Sequence, residues 1–284
     1  MTTLPPPLPD LLLEPLLRMA LAEDLAPAGD LTSRAVIAPA TRYQAALNAR
    51  APGVVSGMQL AALAFRLVDP SLQVQVLLPD GSACRPGDRL MQISGDAAAI
   101  LAAERVALNF AGRMSGIATL TAAFVARAQG HRARITCTRK TTPGLRLVEK
   151  QAVLHGGGRN HRFGLSDAIL IKDNHIAAAG GIAAVLARVR AAASHMLRVE
   201  IEVDTLDQLA EVLDEGGADA VLLDNMHTAT LARAVAMIGG RLIAEASGNM
   251  TLERIAEVAA TGVDYISVGA LTHSAGTLDL GLDF

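Results

Sequence analysis

Residues 168–172 read AILIK, and this short apolar run sets the pattern for the second half of the chain. An uninterrupted apolar run bounded by polar residues is typical of a strand in a parallel sheet that is covered by helices on both faces. Five similar runs alternate with helical patterns after Gly130: ARITC at 133–137, LRVEIEV at 197–203, DAVLLD at 219–224, RLIAEA at 241–246 and DYISV at 264–268. This alternation predicts repeated βα units, which build either a barrel or a doubly wound sheet.

The residues at the ends of these predicted strands favour the barrel. Polar or small residues close nearly every strand: Thr138 to Lys140, Lys172 to Asn174, Glu202 to Asp204, Asp224 and Asn225, Ser247 to Asn249, and Gly269. In a (β/α) barrel the carboxyl ends of all strands meet at one mouth, where the chemistry takes place. A doubly wound sheet would gather only the few strand ends near its switch point.

The first hundred residues have a different pattern, which predicts an α+β layer domain. Residues 58–69 have helical spacing, whereas residues 72–78 and 89–94 read as strands. An alanine-rich helical stretch follows from Asp96, and we expect the glycines at 112 and 116 to divide it into two consecutive helices.

The composition excludes several classes of protein. The formal net charge is -3 and aromatic residues make up 2% of the chain, so neither a basic surface nor stacking platforms for nucleic acid are expected. No apolar run is long enough to span a bilayer, and the amino terminus lacks the basic start of a secretory signal. Cys84 and Cys137 match no metal-binding spacing and suit a reducing compartment, so we expect a cytoplasmic protein without membrane or nucleic-acid partners.

Lysine is scarce in this chain, because only three of its 25 basic residues are lysines. A lysine retained among arginines is a candidate for chemistry that needs a compact ammonium rather than a planar guanidinium. This reasoning selects Lys140 and Lys172, each at a predicted strand end. For Lys150 we expect no role beyond a helix surface.

The strand ends predict a pocket for a small polyanion. They would bring together five cationic or ionisable residues: Arg139, Lys140, His161, Arg162 and Lys172. Glu202 and Asp224 each close a strand and could hold Mg²⁺ directly or through water, or could pair with the lysines. The segments EASGNMT at 245–251 and SVGALT at 267–272 end the last two strands with small residues, which is typical of a phosphate site.

Two chemistries fit such a pocket. Lys172 could form a Schiff base, as in an aldolase-type barrel that grips a sugar phosphate. Alternatively, the cations could bind a dicarboxylate while Mg²⁺ and the phosphate loops hold phosphoribosyl pyrophosphate. The second is favoured, because Asp173 beside Lys172 favours the charged form of the lysine.

Several motifs resemble the quinolinate phosphoribosyltransferase family, whose members are type II phosphoribosyltransferases. They are TRKTTPGLR, GGGRNHR, LSDAILIKDNHI, LLDN, EASGN and DYISVGALTHS, and the likeness extends from residue 21 to the carboxyl end. The resemblance implies an incomplete (β/α) barrel over 109–274 and an amino-terminal α/β sandwich domain over 1–108, which the strand at 275–284 joins. It also implies conversion of quinolinate and phosphoribosyl pyrophosphate to nicotinate mononucleotide, pyrophosphate and CO₂ with Mg²⁺. The enzyme would be a homodimer with shared active sites, and a higher oligomer remains open.

The same resemblance assigns roles to individual residues. Quinolinate carboxylates would contact Arg139, His161, Arg162 and Lys172, with Thr138 and Lys140 at the boundary with the phosphates. Glu202 and Asp224 would hold the metal, with Glu200 as the alternative to Glu202, and catalytic roles fall on Lys140, Lys172, Glu202 and Asp224. The 5-phosphate would lie on Ser247, Gly248, Asn249, Val268, Gly269 and Ala270, and Arg105 would reach the neighbouring subunit's site. ModD-like homologues linked to molybdenum transport are an alternative, but we expect them to lack the lysine of IKDNH, which is present here.

Overall fold

The structure is a computed structural model that describes residues 5–284, and the chain forms two compact units. The first unit extends to Ala122 and also includes Thr142–Gly157 and Ser274–Phe284. The second unit comprises Ala123–Thr141 and Gly158–His273.

Eleven helices lie within the described residues 5–284. In chain order they are α1 (Asp10–Leu25), α2 (Leu31–Val36), α3 (Met58–Val68), α4 (Ala97–Arg127), α5 (Arg146–His155), α6 (Asp173–Ala179), α7 (Ile182–Ala192), α8 (Leu206–Glu215), α9 (Thr228–Ile238), α10 (Ile255–Ala260) and α11 (Ala270–His273). In this part of the chain no single helix is long and apolar enough to cross a membrane. The bent pair α6 and α7, which meet at 92°, passes that test by length and composition alone.

The strands of the same residues form three sheets. They are β1 (Arg42–Ala49), β2 (Gly53–Val54), β3 (Gln73–Val76), β4 (Ala83–Cys84), β5 (Arg89–Asp96), β6 (Arg134–Thr136), β7 (Ile169–Ile171), β8 (Val199–Val203), β9 (Ala220–Asp224), β10 (Ile243–Ser247), β11 (Tyr265–Ser267) and β12 (Leu280–Asp283).

The first unit contains a four-stranded antiparallel sheet in the order β12-β1-β5-β3. Strands β2 and β4 form a separate two-stranded sheet in the same unit. The carboxyl-terminal strand β12 pairs with β1, so that Leu47 lies opposite Leu282. The largest side chains of the core come from both helices and strands, and include Leu13, Phe65 and Met91. A mixed α/β first domain that includes the last strand agrees with the predicted fold class.

The expected break in the alanine-rich stretch does not occur, because α4 is one helix of 31 residues. Its glycines allow close packing instead. A Cβ on Gly116 would lie 1.8 Å from the carbonyl oxygen of Gly276, and Gly112 accepts a hydrogen bond of 3.0 Å from the backbone N–H of Leu278. The prediction of two helices was wrong because the glycines accommodate a neighbouring backbone rather than end the helix.

The boundary expected after residue 108 falls inside α4, and residues 142–157 lie in the first unit rather than with the barrel. Within that unit Glu149 of α5 is fully buried. It accepts hydrogen bonds from Arg113 of α4 at 2.8 Å and from the Thr142 hydroxyl at 2.8 Å. This charged contact gives a physical reason for α5 to belong with α4.

Lys150, the next residue of α5, is only 2% exposed. The expectation that it lies on a solvated helix surface was therefore wrong. Helix α5 buries Val148, Glu149, Lys150, Ala152 and Val153, and a simple amphipathic pattern gives no sign that its burial extends to two charged residues.

The second unit is a six-stranded parallel sheet in the order β6-β11-β10-β9-β8-β7. All six strands predicted after Gly130 are present within two residues of their expected limits. The first strand, β6, pairs with the last, β11, so the sheet curls round on itself. Between β6 and β7 the described residues form no ladder, and beyond its pairing with β11 strand β6 makes one isolated bridge, from Thr136 to Arg159. The incomplete barrel is therefore confirmed.

Candidate active site

A cavity of about 810 Å³ lies in the second unit at the carboxyl ends of the strands. Its lining includes every predicted site residue except Arg105 and Val268, namely Thr138, Arg139, Lys140, His161, Arg162, Lys172, Glu202, Asp224, Ser247, Gly248, Asn249, Gly269 and Ala270. Val268 is buried, and Arg105 lies exposed on α4 in the first unit. The barrel topology thus gathers residues that are more than 130 positions apart in the sequence.

Arg139 and Arg162 form the cationic side of the cavity. Arg162 donates from Nη1 to the carbonyl oxygen of Ala168 at 3.1 Å. Burial, and then the charge of Arg139, lower the pKa of the Arg162 guanidinium. The Nε atoms of both arginines are buried, and within residues 5–284 neither has a hydrogen-bond partner. Two adjacent guanidinium groups with unsatisfied N–H donors favour an anionic ligand.

Lys172 lies at the start of α6 and forms an ion pair with Glu202 of β8. About half of the lysine side chain is exposed, whereas the Glu202 side chain is mostly buried. A lysine paired with a carboxylate lacks the apolar or cationic surroundings that activate a Schiff-base nucleophile. The sequence analysis predicted either this ion pair with a lysine or a metal-binding role for Glu202.

Glu200 and Glu202 both point to the same face of β8, but they occupy different levels of the barrel. Glu202 lines the cavity and Glu200 does not. The His161 ring contacts Glu200, with 2.9 Å between Nε2 and Oε2. Of the two acids, Glu202 is therefore the one placed to meet a ligand.

Glu245 of β10 completes a cluster beneath the cationic side, with its Oε1 at 3.6 Å from His161 Nε2. Burial, and then the charge of Glu200, raise the pKa of Glu245 to about 7, and His161 opposes that rise. Three ligand-type atoms of His161, Glu200 and Glu245 lie within 4.8 Å of one another. Sequence reasoning missed Glu245, although an acid inside the apolar run RLIAEA was a signal that could have found it.

The opposite side of the cavity is formed by tight turns. Gly248 has φ +91° and Asn249 has φ +48°, both in the left-handed region. A Cβ on Gly248 would lie 2.1 Å from Oδ1 and 2.8 Å from the backbone nitrogen of Asn225. Only glycine fits this position, where two strand-end loops come into direct contact.

Arg254 holds these two loops together. It donates from Nη1 to the Gly248 carbonyl at 3.1 Å and from Nη2 to the Met226 carbonyl at 2.6 Å. Nothing in the sequence around Arg254 indicated this role, because the contact depends on the packing of the loops after β9 and β10.

Lys140 connects the first and last strands of the barrel. Its carbonyl accepts a hydrogen bond of 2.7 Å from the Thr272 hydroxyl, and its Cδ lies close to Gly269, where an added Cβ would approach it to 3.2 Å. The Lys140 side chain thus passes along the side of the cavity formed by small residues, which His273 also lines. The site separates into a side-chain cationic half and a turn-built half.

Two family models match the chain. One is described as the quinolinate phosphoribosyl transferase N-terminal domain and matches residues 30–115, and the other as the corresponding C-terminal domain and matches residues 117–283. A quinolinate phosphoribosyltransferase [decarboxylating] of Nicotiana glauca is 44% identical over 98% of this chain and 84% of its own. A probable nicotinate-nucleotide pyrophosphorylase [carboxylating] of Bacillus subtilis is 41% identical, over 95% and 93% respectively.

Solved structures give the same result. The nicotinate-nucleotide pyrophosphorylase from Francisella tularensis has a TM-score of 0.93 and 38% sequence identity, and the similarity covers 97% of each chain. NadC from Streptococcus pyogenes has a TM-score of 0.93 and 39% identity, and the similarity covers 98% of each chain.

Proposed function

This chain belongs to the quinolinate phosphoribosyltransferase family, and we infer that it transfers phosphoribosyl from phosphoribosyl pyrophosphate to quinolinate with decarboxylation. The products are nicotinate mononucleotide, pyrophosphate and CO₂, a step of de novo NAD biosynthesis. The molybdenum-linked homologue and the Schiff-base aldolase are less well supported, since both halves of the chain match this family and Lys172 is paired with a carboxylate.

The observation that carries this proposal is the pair of buried, unsatisfied Nε donors on Arg139 and Arg162. Quinolinate has two carboxylates on adjacent ring carbons, and a planar guanidinium matches a planar carboxylate. We assign the carboxylates to these arginines and to the ammonium of Lys172. The pyridine nitrogen is thereby directed toward the turn-built half of the cavity.

Phosphoribosyl pyrophosphate would occupy that half. Its 5-phosphate would lie on Ser247, Gly248 and Asn249 and on the Val268–Ala270 segment, with Thr138 and the ammonium of Lys140 at its boundary with quinolinate. Glu202 and Asp224 both line the cavity and offer carboxylate oxygens, the donors that Mg²⁺ prefers. They fit a Mg²⁺ ion held directly or through water, which would neutralise charge on the departing pyrophosphate.

The residues of this chain contribute mainly alignment and electrostatics. The cationic half holds the ring nitrogen in line with the ribose carbon, which it attacks as the bond to pyrophosphate breaks. The ribose passes through an oxocarbenium-like state, so preorganised charges lower the barrier. The resulting pyridinium stabilises the carbanion left when the neighbouring carboxylate departs as CO₂, and that carbon then takes up a proton.

The direct test is to incubate the protein with quinolinate, phosphoribosyl pyrophosphate and Mg²⁺ and to measure nicotinate mononucleotide and CO₂ in equal amounts. Reactions without Mg²⁺, or with nicotinate in place of quinolinate, are the controls. Absence of turnover under conditions in which a related enzyme is active would reject the proposal. Borohydride with candidate sugar phosphates should leave no adduct on Lys172, whereas an adduct would favour the aldolase.

We further propose a homodimer in which Arg105 of each subunit reaches the other subunit's site. The family resemblance supports this assignment, as does the exposure of Arg105 on α4. Arg105→Ala and Lys172→Ala should each be inactive, and mixing them should restore part of the activity through hybrid dimers. Subunit exchange without recovery would refute the shared site.

We also propose that the protein lies in the cytoplasm and binds small molecules rather than nucleic acid or a membrane. Two buried cysteines that form no disulfide suit the reducing cytoplasm, and the net charge of -3 favours small-molecule partners over nucleic acid or a membrane. Cell fractionation with an antibody against the chain would test this.

A further inference from the structure

Strands β9 and β10 end side by side on the turn-built half of the cavity. They pair in parallel with Asp224 opposite Ser247, so both strands end at the same level of the barrel. The next residue, Asn225, donates its backbone N–H to the Ser247 carbonyl at 3.1 Å. Asn225 has φ +52° and Asn249 has φ +48°, so each strand is followed by a turn with a left-handed residue. The two turns therefore lie next to each other.

The side chain of Asn225, which lines the cavity, connects these two turns. Its Nδ2 donates to Oδ2 of Asp224 at 2.6 Å, and its Oδ1 accepts from Nδ2 of Asn249 at 3.3 Å. An ionised carboxylate only accepts hydrogen bonds, so the amide nitrogen must face Asp224 and the amide oxygen must face Asn249. The amide of Asn225 is therefore fixed in one orientation by its two neighbours.

Gly248 leaves the space that this amide occupies. A Cβ on Gly248 would lie 2.1 Å from Oδ1 and 2.6 Å from Cγ of Asn225. Asparagine adopts a positive φ more readily than most residues, but glycine would meet that backbone requirement equally well. The contacts on both sides of the amide indicate that the asparagine side chain serves more than the shape of the turn.

We propose that Asn225 is a positioning residue that joins the two ends of the phosphoribosyl pyrophosphate site, and this inference rests on the proposed function. Its Nδ2 orients the Asp224 carboxylate that is assigned to Mg²⁺, because the two oxygens of a carboxylate turn together. Its Oδ1 orients the Asn249 turn that is assigned to the 5-phosphate. Ordering both groups before the ligand arrives reduces the entropy that binding would otherwise cost.

Asn225→Gly removes the amide but keeps both the left-handed backbone and the N–H that donates to Ser247. Calorimetry with phosphoribosyl pyrophosphate and Mg²⁺ measures the effect, in the presence of phthalate. Phthalate has the adjacent carboxylates of quinolinate but no ring nitrogen, so no turnover follows. The dissociation constant should rise about 10-fold, as expected for losing a hydrogen bond to a charged group. Wild-type affinity in this variant would mean that Asn225 serves only the backbone, and would overturn the inference.

Asn225→Ala is the matched control, because it loses the same amide but places a Cβ on a left-handed backbone. It should weaken phosphoribosyl pyrophosphate as much as Asn225→Gly does, although it should unfold at a lower temperature. The affinity of both variants for phthalate alone should stay within about two-fold of the wild type, since that half of the cavity is not in contact with Asn225. A loss of affinity that follows the unfolding temperature rather than the loss of the amide would contradict the proposal.

Two double-mutant cycles test the two ends of the bridge. One combines Asn225→Gly with Asp224→Ala, and the other combines it with Asn249→Gly, which also keeps its left-handed backbone. In each background Asn225→Gly should weaken phosphoribosyl pyrophosphate only about 3-fold, because residues in contact do not act additively. Additive losses in either cycle would show that the amide does not act through that neighbour, and would overturn the bridge.

Crystal structures of the free proteins give a readout that needs neither ligand nor turnover. The Asp224 carboxylate should have one orientation in the wild type and a different one, or several, in Asn225→Gly. An unchanged carboxylate would refute the positioning role. If the wild type does not bind phosphoribosyl pyrophosphate, the proposed function fails, and the crystal structures still test the contact. If it binds and Asn225→Gly binds equally well, only the role of Asn225 fails.

Discussion

The two halves of the cavity are built from different parts of the polypeptide. The half assigned to quinolinate uses side chains: Arg139 and Lys172 follow strands β6 and β7, and Arg162 lies in the irregular segment before β7. The half assigned to phosphoribosyl pyrophosphate uses backbone turns, in which Gly248 and Asn249 have positive φ. Under the proposed assignment, the first half would recognise its ligand by the charge and shape of side chains, and the second by the conformation of the backbone. The two should therefore fail in different ways when altered.

The largest effect is expected from Arg139→Ala. Removing one partner of a desolvated charged contact costs about 2–5 kcal/mol, so kcat/KM for quinolinate should fall about 100- to 1,000-fold in steady-state assays. The affinity for phosphoribosyl pyrophosphate should change little. Arg139→Lys is the matched control, and it should recover only a small part, because an ammonium lacks the planar fork. Equal weakening of both substrates would contradict the division of the cavity.

A pH-dependent effect is expected beneath the cationic half. The carboxyl of Glu245 has its pKa raised from 4.5 to about 7, so the folded chain keeps a proton that the unfolded chain has lost in that window. The free energy of unfolding should therefore decrease as the pH rises from 4.5 to 7. Glu245→Gln should abolish this decrease, which amounts to roughly 3 kcal/mol at most because one pKa unit corresponds to about 1.4 kcal/mol.

Denaturant unfolding at several pH values measures this change. The matched control is Glu253→Gln, since the Glu253 carboxyl is exposed and its pKa is lowered, so that it titrates below the same window. If Glu245→Gln leaves the slope between pH 4.5 and 7 unchanged, the raised pKa is refuted.

Gly248→Ala should damage the turn-built half without changing any charge. The added Cβ would clash with Asn225, and the backbone is left-handed. We expect KM for phosphoribosyl pyrophosphate to rise about 10- to 100-fold, consistent with a few kcal/mol of local strain, while the affinity for quinolinate is kept. Gly262→Ala is the control: its φ is +90° but the nearest atom would be 3.5 Å away. It should cost about 1 kcal/mol of stability and leave the kinetics unchanged.

The smallest effect is expected from Arg254→Met, which removes the donors to the carbonyls of Gly248 and Met226. Each lost bond of a charged donor is worth about 1.5–3 kcal/mol when isolated. The turn also has its own contacts, so we expect KM for phosphoribosyl pyrophosphate to rise only several-fold. Arg254→Lys, which can reach one carbonyl, should be intermediate. A larger effect on quinolinate than on phosphoribosyl pyrophosphate would show that the two halves are not independent.

The sequence predicted the parts of the molecule that depend on local periodicity and on strand ends. The six barrel strands were found because each is a continuous apolar run. Glu202 was preferred to Glu200 because it lies just before the start of a helix, which Thr205 caps, and Glu202 does line the cavity. Features that depend on packing between distant segments were missed. Gly112 and Gly116 looked like helix breakers, because nothing in the local sequence indicates that residues 276–278 lie against them.

Charged residues were misjudged for the same reason. Lys150 was expected on a surface, yet it is buried in α5. Glu200 and Glu202 could not be ranked from alternation alone, because both lie on one face of β8 and only the depth of the barrel separates them. The resemblance to the family identified the residues around the cavity, but not the contact of Glu245 with His161 or the contacts of Arg254, which depend on atomic geometry.

The pairing of β12 with β1 has a consequence for how the chain folds during synthesis. Strand β1 ends at Ala49, and its partner at residues 280–283 leaves the ribosome more than 200 residues later. The six barrel strands are all complete by Ser267, so they can assemble first. One edge of the amino-terminal sheet meanwhile exposes unpaired backbone groups, which is where chains of this kind are prone to pair wrongly. The amino-terminal domain is thus the first to be made and the last to be finished.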